Sequence, residues 1–171
     1  MNRVEKLREH VDAILLNKNS NDRNRRMAYV HLYGVAQFCA MIAKKRGVDI
    51  DLAIMAGMLH DLYTYKKKDE VRHLGMDAIE EVIKNHRVDG PVYIREILTE
   101  WQLTTDEETE IICTAIQGGV GKDDKTLELE KVVNDANILQ FYFYNPVSPG
   151  IKLDDKRVED LLSEFGLSIE D

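Results

Sequence analysis

The stretch Ala53–Tyr65, AIMAGMLHDLYTY, decides how the rest of the chain is interpreted. It begins as an apolar helical pattern rich in small residues and ends in a polar pair, His60 and Asp61. A buried polar group needs a hydrogen-bond partner, and a buried charge needs an opposite charge or a metal ion. The pair therefore predicts that polar residues from elsewhere in the chain join it in the interior.

Length and composition are those of a globular domain. The chain has 171 residues, of which 44% are hydrophobic and 32% are charged, and this is enough to bury a core. The formal net charge of −8 argues against a nucleic-acid polymer as partner, because binding to a phosphate backbone needs a basic surface. We expect one domain over residues 1–171, with a motif region at 25–144 and a C-terminal loop and short helix at 145–171.

Neither a signal sequence nor a membrane span is apparent. The N-terminal segment MNRVEKLREH is charged and amphipathic, and no apolar run approaches the ~20 residues that a membrane-spanning helix needs. Cys39 and Cys113 lie in apolar helical patterns outside any C-x-x-C pair, which favours reduced core residues. We therefore expect a cytoplasmic protein with no membrane partner.

The fold class predicted from hydrophobic periodicity is all-α. Nearly every periodic stretch has the helical period, which predicts a single-domain bundle of about seven or eight helices. Within it, Tyr63–Glu70 is expected to be a polar loop. Asp89-Gly90-Pro91 is expected to be a turn between two helices, because Gly and Pro interrupt helices.

Three separate helices each carry a His or Asp among apolar neighbours. These residues are His31 in MAYVHLYGVAQF, the pair His60-Asp61, and Asp135 in EKVVNDANILQF. Two imidazoles and two carboxylates suit a divalent ion such as Mn, Fe, Co, Ni, Zn or Mg, with coordination positions left for water and substrate. Taken singly, each residue is more often structural, so a helical core in which they only form hydrogen bonds stays open as an alternative.

The order H, then HD, then D on an all-helical chain resembles the HD-domain superfamily of metal-dependent phosphohydrolases. The resemblance covers roughly Arg25 to Tyr144. It implies a divalent metal held by His31, His60, Asp61 and Asp135, with Asp61 also assisting the attacking water. It further implies a small phosphorylated substrate, such as a nucleotide or another phosphate ester.

Two positions depart from the family pattern. Many members have a His that ends a helix in the pattern A-I-x-x-H, where this chain has Gly119. The late motif, often D-A-D, reads Asp135-Ala136-Asn137. A site with one metal is therefore expected in preference to two. The same departures favour, as an alternative, a degenerate module that binds metal and ligand without turnover.

Substrate phosphate would require nearby cations or hydrogen-bond donors. Arg72 and His73 follow the HD segment and Lys122 follows a glycine turn, and an arginine can contact phosphate through two hydrogen bonds. The run Lys66–Lys68 is expected to be a solvated loop, and His86 a surface residue. The aromatic run Phe141–Tyr144 suggests core packing or a homodimer contact.

Overall fold

The computed structural model describes residues 2–16, 22–119, 123–144 and 155–168. These residues form eight α-helices and one short 3₁₀ helix, with no strand among them. The helices are α1 (Arg3–Leu15), α2 (Asp22–Arg46), α3 (Ile50–Leu59), α4 (Leu62–Val71), α5 (Met76–Trp101), α6 (Asp106–Gln117), α7 (Asp124–Tyr144) and α8 (Asp155–Glu164), and the 3₁₀ helix Arg72–Leu74 lies between α4 and α5. The all-α prediction is confirmed.

Helix α3 lies inside the bundle, enclosed by α1, α2, α6 and α7. After Asp51 in its first turn, every residue of α3 is apolar, as expected for a helix that is largely buried. Its buried residues are Ala53, Met55, Ala56, Gly57, Met58 and Leu59. Because α3 ends at Leu59, the pair that follows it is delivered directly into the interior.

Glycine allows α2 and α3 to approach closely. A Cβ atom at Gly57 would lie 2.8 Å from the Ala36 Cα atom and 3.0 Å from the Cys39 Sγ atom, both on α2. Those separations are shorter than normal contacts, so a side chain at Gly57 would force the two helices apart.

Residues 63–70, expected to be a loop, belong to α4 instead. Lys66 and Lys67 both pair with Glu70 at i,i+4 and i,i+3 spacing, which supports an exposed helical face. Leu62 and Thr64 of the same helix are buried, and α4 packs against α5. Lys66 and Lys67 therefore mark the surface of a helix.

The turn expected at Asp89-Gly90-Pro91 is absent, because α5 is continuous through it. Pro91 lacks a backbone N–H and is unfavourable in a helix interior by about 3 kcal/mol. Gly90 and Pro91 are nevertheless buried, as are Ile94 and Leu98 one and two turns later. Packing of this face against α4 and α6 outweighs the local preference for a break.

Helix ends follow the local chemistry of the sequence. Asp49 caps α3 by accepting a hydrogen bond from the Leu52 backbone at 2.9 Å. Thr105 and Glu108 form a reciprocal capping box at the start of α6. None of the helices in the described ranges combines the length and apolarity needed to cross a bilayer.

Candidate metal centre

Three acceptor atoms from three helices converge where α3 passes into α4. His31 reaches them from the middle of α2 and is 4% exposed. Its Nε2 atom lies 3.0 Å from His60 Nε2 and 3.3 Å from Asp61 Oδ2, and His60 Nε2 lies 3.7 Å from the same carboxylate oxygen. The ligand atoms of all three residues lie within 4.8 Å of one another, as a metal site requires.

The opposite ring nitrogens decide what these imidazoles present to the cluster. His60 Nδ1 lies 2.7 Å from the Gly57 carbonyl oxygen, and His31 Nδ1 lies 2.9 Å from Gln140 Oε1. Both oxygens are acceptors, so each Nδ1 carries a proton, and each ring in its neutral form turns a lone pair at Nε2 toward the other. Two lone pairs 3.0 Å apart repel unless a proton or a cation lies between them, and this donor set fits a divalent ion.

Burial and neighbouring groups favour the metal-binding protonation states of His60 and Asp61. Burial lowers the pKa of His60 to about 4, which makes the ring neutral at physiological pH. Burial alone would raise the pKa of Asp61, but the contact with His31 and the electrostatic influence of the nearby histidines outweigh it, so this pKa falls below its ordinary value. Neutral imidazoles and an ionised carboxylate are the forms that ligate a cation.

The structure does not bring Asp135 into this group. Its carboxylate, 3% exposed, accepts hydrogen bonds from Arg46 Nη1 at 2.7 Å and from Arg157 Nη2 at 2.6 Å. Arg46 also holds Glu164 of α8 through two further hydrogen bonds. The fourth expected ligand is therefore placed in an ion-pair network that ties α2 and α8 to α7, because a buried carboxylate needs opposite charge.

Other residues of α7 face the cluster. Gln140, fully buried, holds His31 through its amide oxygen, and the Phe141 ring lies 5.3 Å from the His31 ring between centroids. Asn137 Oδ1 is buried without a hydrogen-bond partner in the described part of the chain. A buried acceptor left unpaired costs about 1–3 kcal/mol. A hydrogen-bond donor or a cation at this oxygen would remove that cost.

The predicted phosphate-binding residues are exposed or fall outside the described ranges. Arg72 and His73 are exposed on the 3₁₀ helix, and His73 Nδ1 donates to the Glu70 carbonyl oxygen at 3.0 Å. Lys122 falls at a position that the structure does not describe. Gly119 follows α6 and donates its backbone N–H to Glu130 Oε1 at 2.6 Å. As a glycine, it has no side chain that could bind a second metal.

Two basic residues interact electrostatically with the cluster, although the sequence favoured a solvated loop for Lys68 and a surface position for His86. Burial lowers the pKa of Lys68, and the nearby charge of Asp61 partly offsets this. The charge of His86 on α5 is a smaller cause, after burial, of the lowered pKa of His60. Lys68 follows Asp61 by seven residues, or about two helical turns. Had α4 been predicted, that spacing would have placed Lys68 on the same side of the helix as Asp61. No sequence signal marks His86.

Comparison with known families agrees with the geometry. The family model described as the HD domain matches residues 28–141, about two thirds of the chain, and this range includes all three clustered residues. Searches among curated proteins and among solved structures find no match. The extent of the family match shows that the chain belongs to the HD-domain superfamily of metal-dependent phosphohydrolases.

Proposed function

We propose that the protein is a metal-dependent phosphohydrolase that acts on a nucleotide or another small phosphate ester. The observation that carries this proposal is the convergence of His31, His60 and Asp61 within 4.8 Å, in a chain whose family typically performs this chemistry. The metal would be Mn, Fe, Co, Ni, Zn or Mg, because the ligand set mixes nitrogen and oxygen donors.

The three side chains would bind the metal, and one of them would also accept a proton. His31, His60 and Asp61 would hold a divalent ion, which when bound polarises phosphoryl oxygens and water. Asp61 Oδ1 accepts a hydrogen bond from Thr64 Oγ1 at 3.3 Å, which orients the carboxylate. Because it is ionised, Asp61 can also accept a proton from an attacking water.

Lys68 and His86 are the groups that we assign to the substrate phosphate. Both interact electrostatically with the cluster, and they come from adjacent helices, α4 and α5. His86 Nδ1 donates to the Ile83 carbonyl oxygen at 2.6 Å, so its Nε2 atom is the one left for a ligand. A local cation such as Lys68 can bind a small phosphate despite the net charge of −8.

We also propose a cytoplasmic location and a homodimer contact. Cys39 and Cys113 are free and buried, which supports a reducing compartment such as the cytoplasm. The acidic surface supports neither a nucleic-acid polymer nor a membrane as partner. Phe143 and Tyr144 are 47% and 52% exposed, which supports a homodimer contact at the end of α7.

Metal analysis followed by a phosphate-release screen tests the enzyme proposal. We expect protein purified without chelator to hold about one divalent metal per chain, and at least one of Mn, Co, Ni, Mg, Fe or Zn to support hydrolysis of nucleoside monophosphates or p-nitrophenyl phosphate. Asp61→Asn should lose ~100-fold or more of that activity. Asp77→Asn, at an exposed position on α5, is the matched control. Absence of bound metal together with background hydrolysis under every metal would refute the proposal.

A degenerate binding module is the second candidate, and Gly119 is the observation that favours it. This position offers only a backbone N–H, which Glu130 already accepts. A nucleotide that raises the melting temperature only in the presence of metal, and that is recovered intact after prolonged incubation, would support this candidate over the enzyme.

A further inference from the structure

Helix α7 presents three polar side chains with different surroundings. Asp135 is saturated by two arginines, and Gln140 is engaged by His31. Asn137 is different, because its Oδ1 atom is buried and lacks a hydrogen-bond partner among the residues that the structure describes. A buried amide oxygen without a donor is suited to a water or a cation.

Helical geometry gives the direction in which Asn137 projects. At about 100° per residue, Asn137 lies about 60° from Gln140 and about 40° from Phe141 around the helix axis, between the two and one turn before them. Both of those residues contact His31, at 2.9 Å between Gln140 Oε1 and Nδ1 and at 5.3 Å between ring centroids. Asp135 lies about 160° from Asn137, on the arginine-bearing side. Of Asp135 and Asn137 in the motif Asp135-Ala136-Asn137, it is therefore Asn137 that lies on the side of α7 facing His31.

We propose that Asn137 Oδ1, and not Asp135, is the ligand that α7 contributes to the metal site. A carboxamide oxygen is a hard neutral donor of the kind that Mg, Mn and Ca accept. The full set would be two imidazoles, one carboxylate and one carboxamide, with a total charge of −1. A divalent ion in this set keeps a net positive charge, which weakens metal retention and strengthens attraction to an anionic phosphate.

This inference rests on the metal site of the proposed function, and it does not require hydrolysis. Titration calorimetry of chelator-treated protein with MnCl₂ tests it without using activity. Asn137→Ala should weaken Mn²⁺ binding ~10-fold or more, the loss typical of removing a group that completes a metal site. Asn137→Asp should tighten it ~10-fold or more, because a second carboxylate adds charge opposite to that of the ion.

Asp135→Asn is the matched control on the same helix. It should lower the melting temperature, because two arginines lose their shared carboxylate, while the Mn²⁺ dissociation constant stays within about twofold of the parent value. Circular dichroism confirms that each variant is folded, and the metal-induced rise in melting temperature gives a second readout. Asn137→Asp should show a larger rise than the parent, and Asn137→Ala a smaller one.

The outcomes separate the two proposals. Parental Mn²⁺ affinity in both Asn137 variants, or a large loss in Asp135→Asn, would overturn the assignment of Asn137 while leaving hydrolysis intact. The expected affinity changes in a protein that hydrolyses no phosphate ester would uphold Asn137 and refute the enzyme. A parent chain that binds none of Mn²⁺, Fe²⁺, Co²⁺, Ni²⁺, Zn²⁺ and Mg²⁺ would overturn both.

Discussion

At the residue scale, the acceptor on the far nitrogen of each imidazole decides what that ring offers to a metal. For His60 the acceptor is a backbone carbonyl, at Gly57, which a side-chain substitution cannot remove. For His31 it is the side chain of Gln140, whose Nε2 atom also approaches the Val30 carbonyl oxygen at 3.4 Å. The tautomer of His31 therefore depends on one replaceable residue.

Replacing Gln140 with methionine should weaken metal binding without unfolding the protein. The side-chain volume is similar, but His31 Nδ1 loses its acceptor, and loss of such a partner typically costs ~10–100-fold in metal affinity. Mn²⁺ calorimetry measures the affinity, and long-range ¹H–¹⁵N NMR of the histidine rings reports the tautomer. Gln140→Glu keeps an oxygen acceptor and should retain the Nδ1–H form. An unchanged tautomer and affinity in Gln140→Met would remove Gln140 from the site.

At the element scale, the position of the cluster depends on the close contact between α2 and α3. Gly57 lies at that contact, with room for no side chain, and its carbonyl oxygen holds His60. Gly90 offers a contrast within α5, since a Cβ atom there would meet its nearest neighbour, Tyr63 Cβ, at an ordinary 3.8 Å.

Gly57→Ala should destabilise the fold and disturb the metal site together. Overpacking of this kind costs about 1–3 kcal/mol, and the shift of α3 moves His60 away from His31. The matched change Gly90→Ala should instead stabilise by about 0.5–1 kcal/mol, because alanine is the better residue in a helix interior. Urea denaturation and Mn²⁺ titration of the two variants measure both effects. Equal stability in the two variants would contradict the packing argument.

Helix α8 is attached partly by charge, which makes its docking sensitive to acid. Hydrogen bonds from Arg46 are the largest cause of the lowered pKa of Glu164, whose ordinary value is 4.5. A carboxyl with a lowered folded-state pKa stabilises the fold above its unfolded-state pKa, and this contribution is lost as pH falls through the folded-state pKa. The pair should therefore stabilise fully at neutral pH.

Glu164→Gln should lower stability at pH 7 by about 1 kcal/mol or less, the range for partly exposed ion pairs. The difference from the parent should close as pH falls from the ordinary carboxyl pKa of 4.5 through the lowered folded-state pKa of Glu164. Melting curves from pH 3.5 to 7 measure this, with Glu159→Gln at an exposed position of α8 as control. A difference that stays constant with pH would mean that packing, and not charge, accounts for the effect.

Helix ends can be predicted from the sequence more readily than helix continuity. Caps at Asp49 and Thr105 are predictable because they depend on neighbouring residues alone. The continuous α5 is not predictable in this way, because contacts with α4 and α6 override the local effects of Gly90 and Pro91. For the same reason, the lysine-rich segment before Glu70 forms α4 where its composition suggested a loop.

At the scale of the whole molecule, the cluster joins α2, α3 and α4, so a metal held there should stabilise the entire fold. At a free metal concentration of about 100 times the dissociation constant, binding to the folded state adds about 2.7 kcal/mol. For a chain of this length that corresponds to about 5–10 °C in melting temperature.

We expect the melting temperature of chelator-treated protein to rise by about that amount on saturation with its metal. Differential scanning fluorimetry with Mn²⁺, Co²⁺, Ni²⁺ and Zn²⁺ measures the rise, and Asp61→Asn should show little of it. Equal melting temperatures with chelator and with every metal, together with a large loss of stability in Asp61→Ala, would favour the purely structural interpretation of the buried His and Asp residues.

The sequence by itself determined the helical class and singled out His31 and the HD pair, because periodicity and the cost of buried polar groups can be judged from neighbouring residues. Only the tertiary structure decided which residue of α7 faces the cluster. Asp135 and Asn137 are two positions apart and thus point about 160° away from each other, with buried apolar residues on both sides of α7. Neighbouring helices alone settle that one side meets Arg46 and Arg157 and the other meets His31.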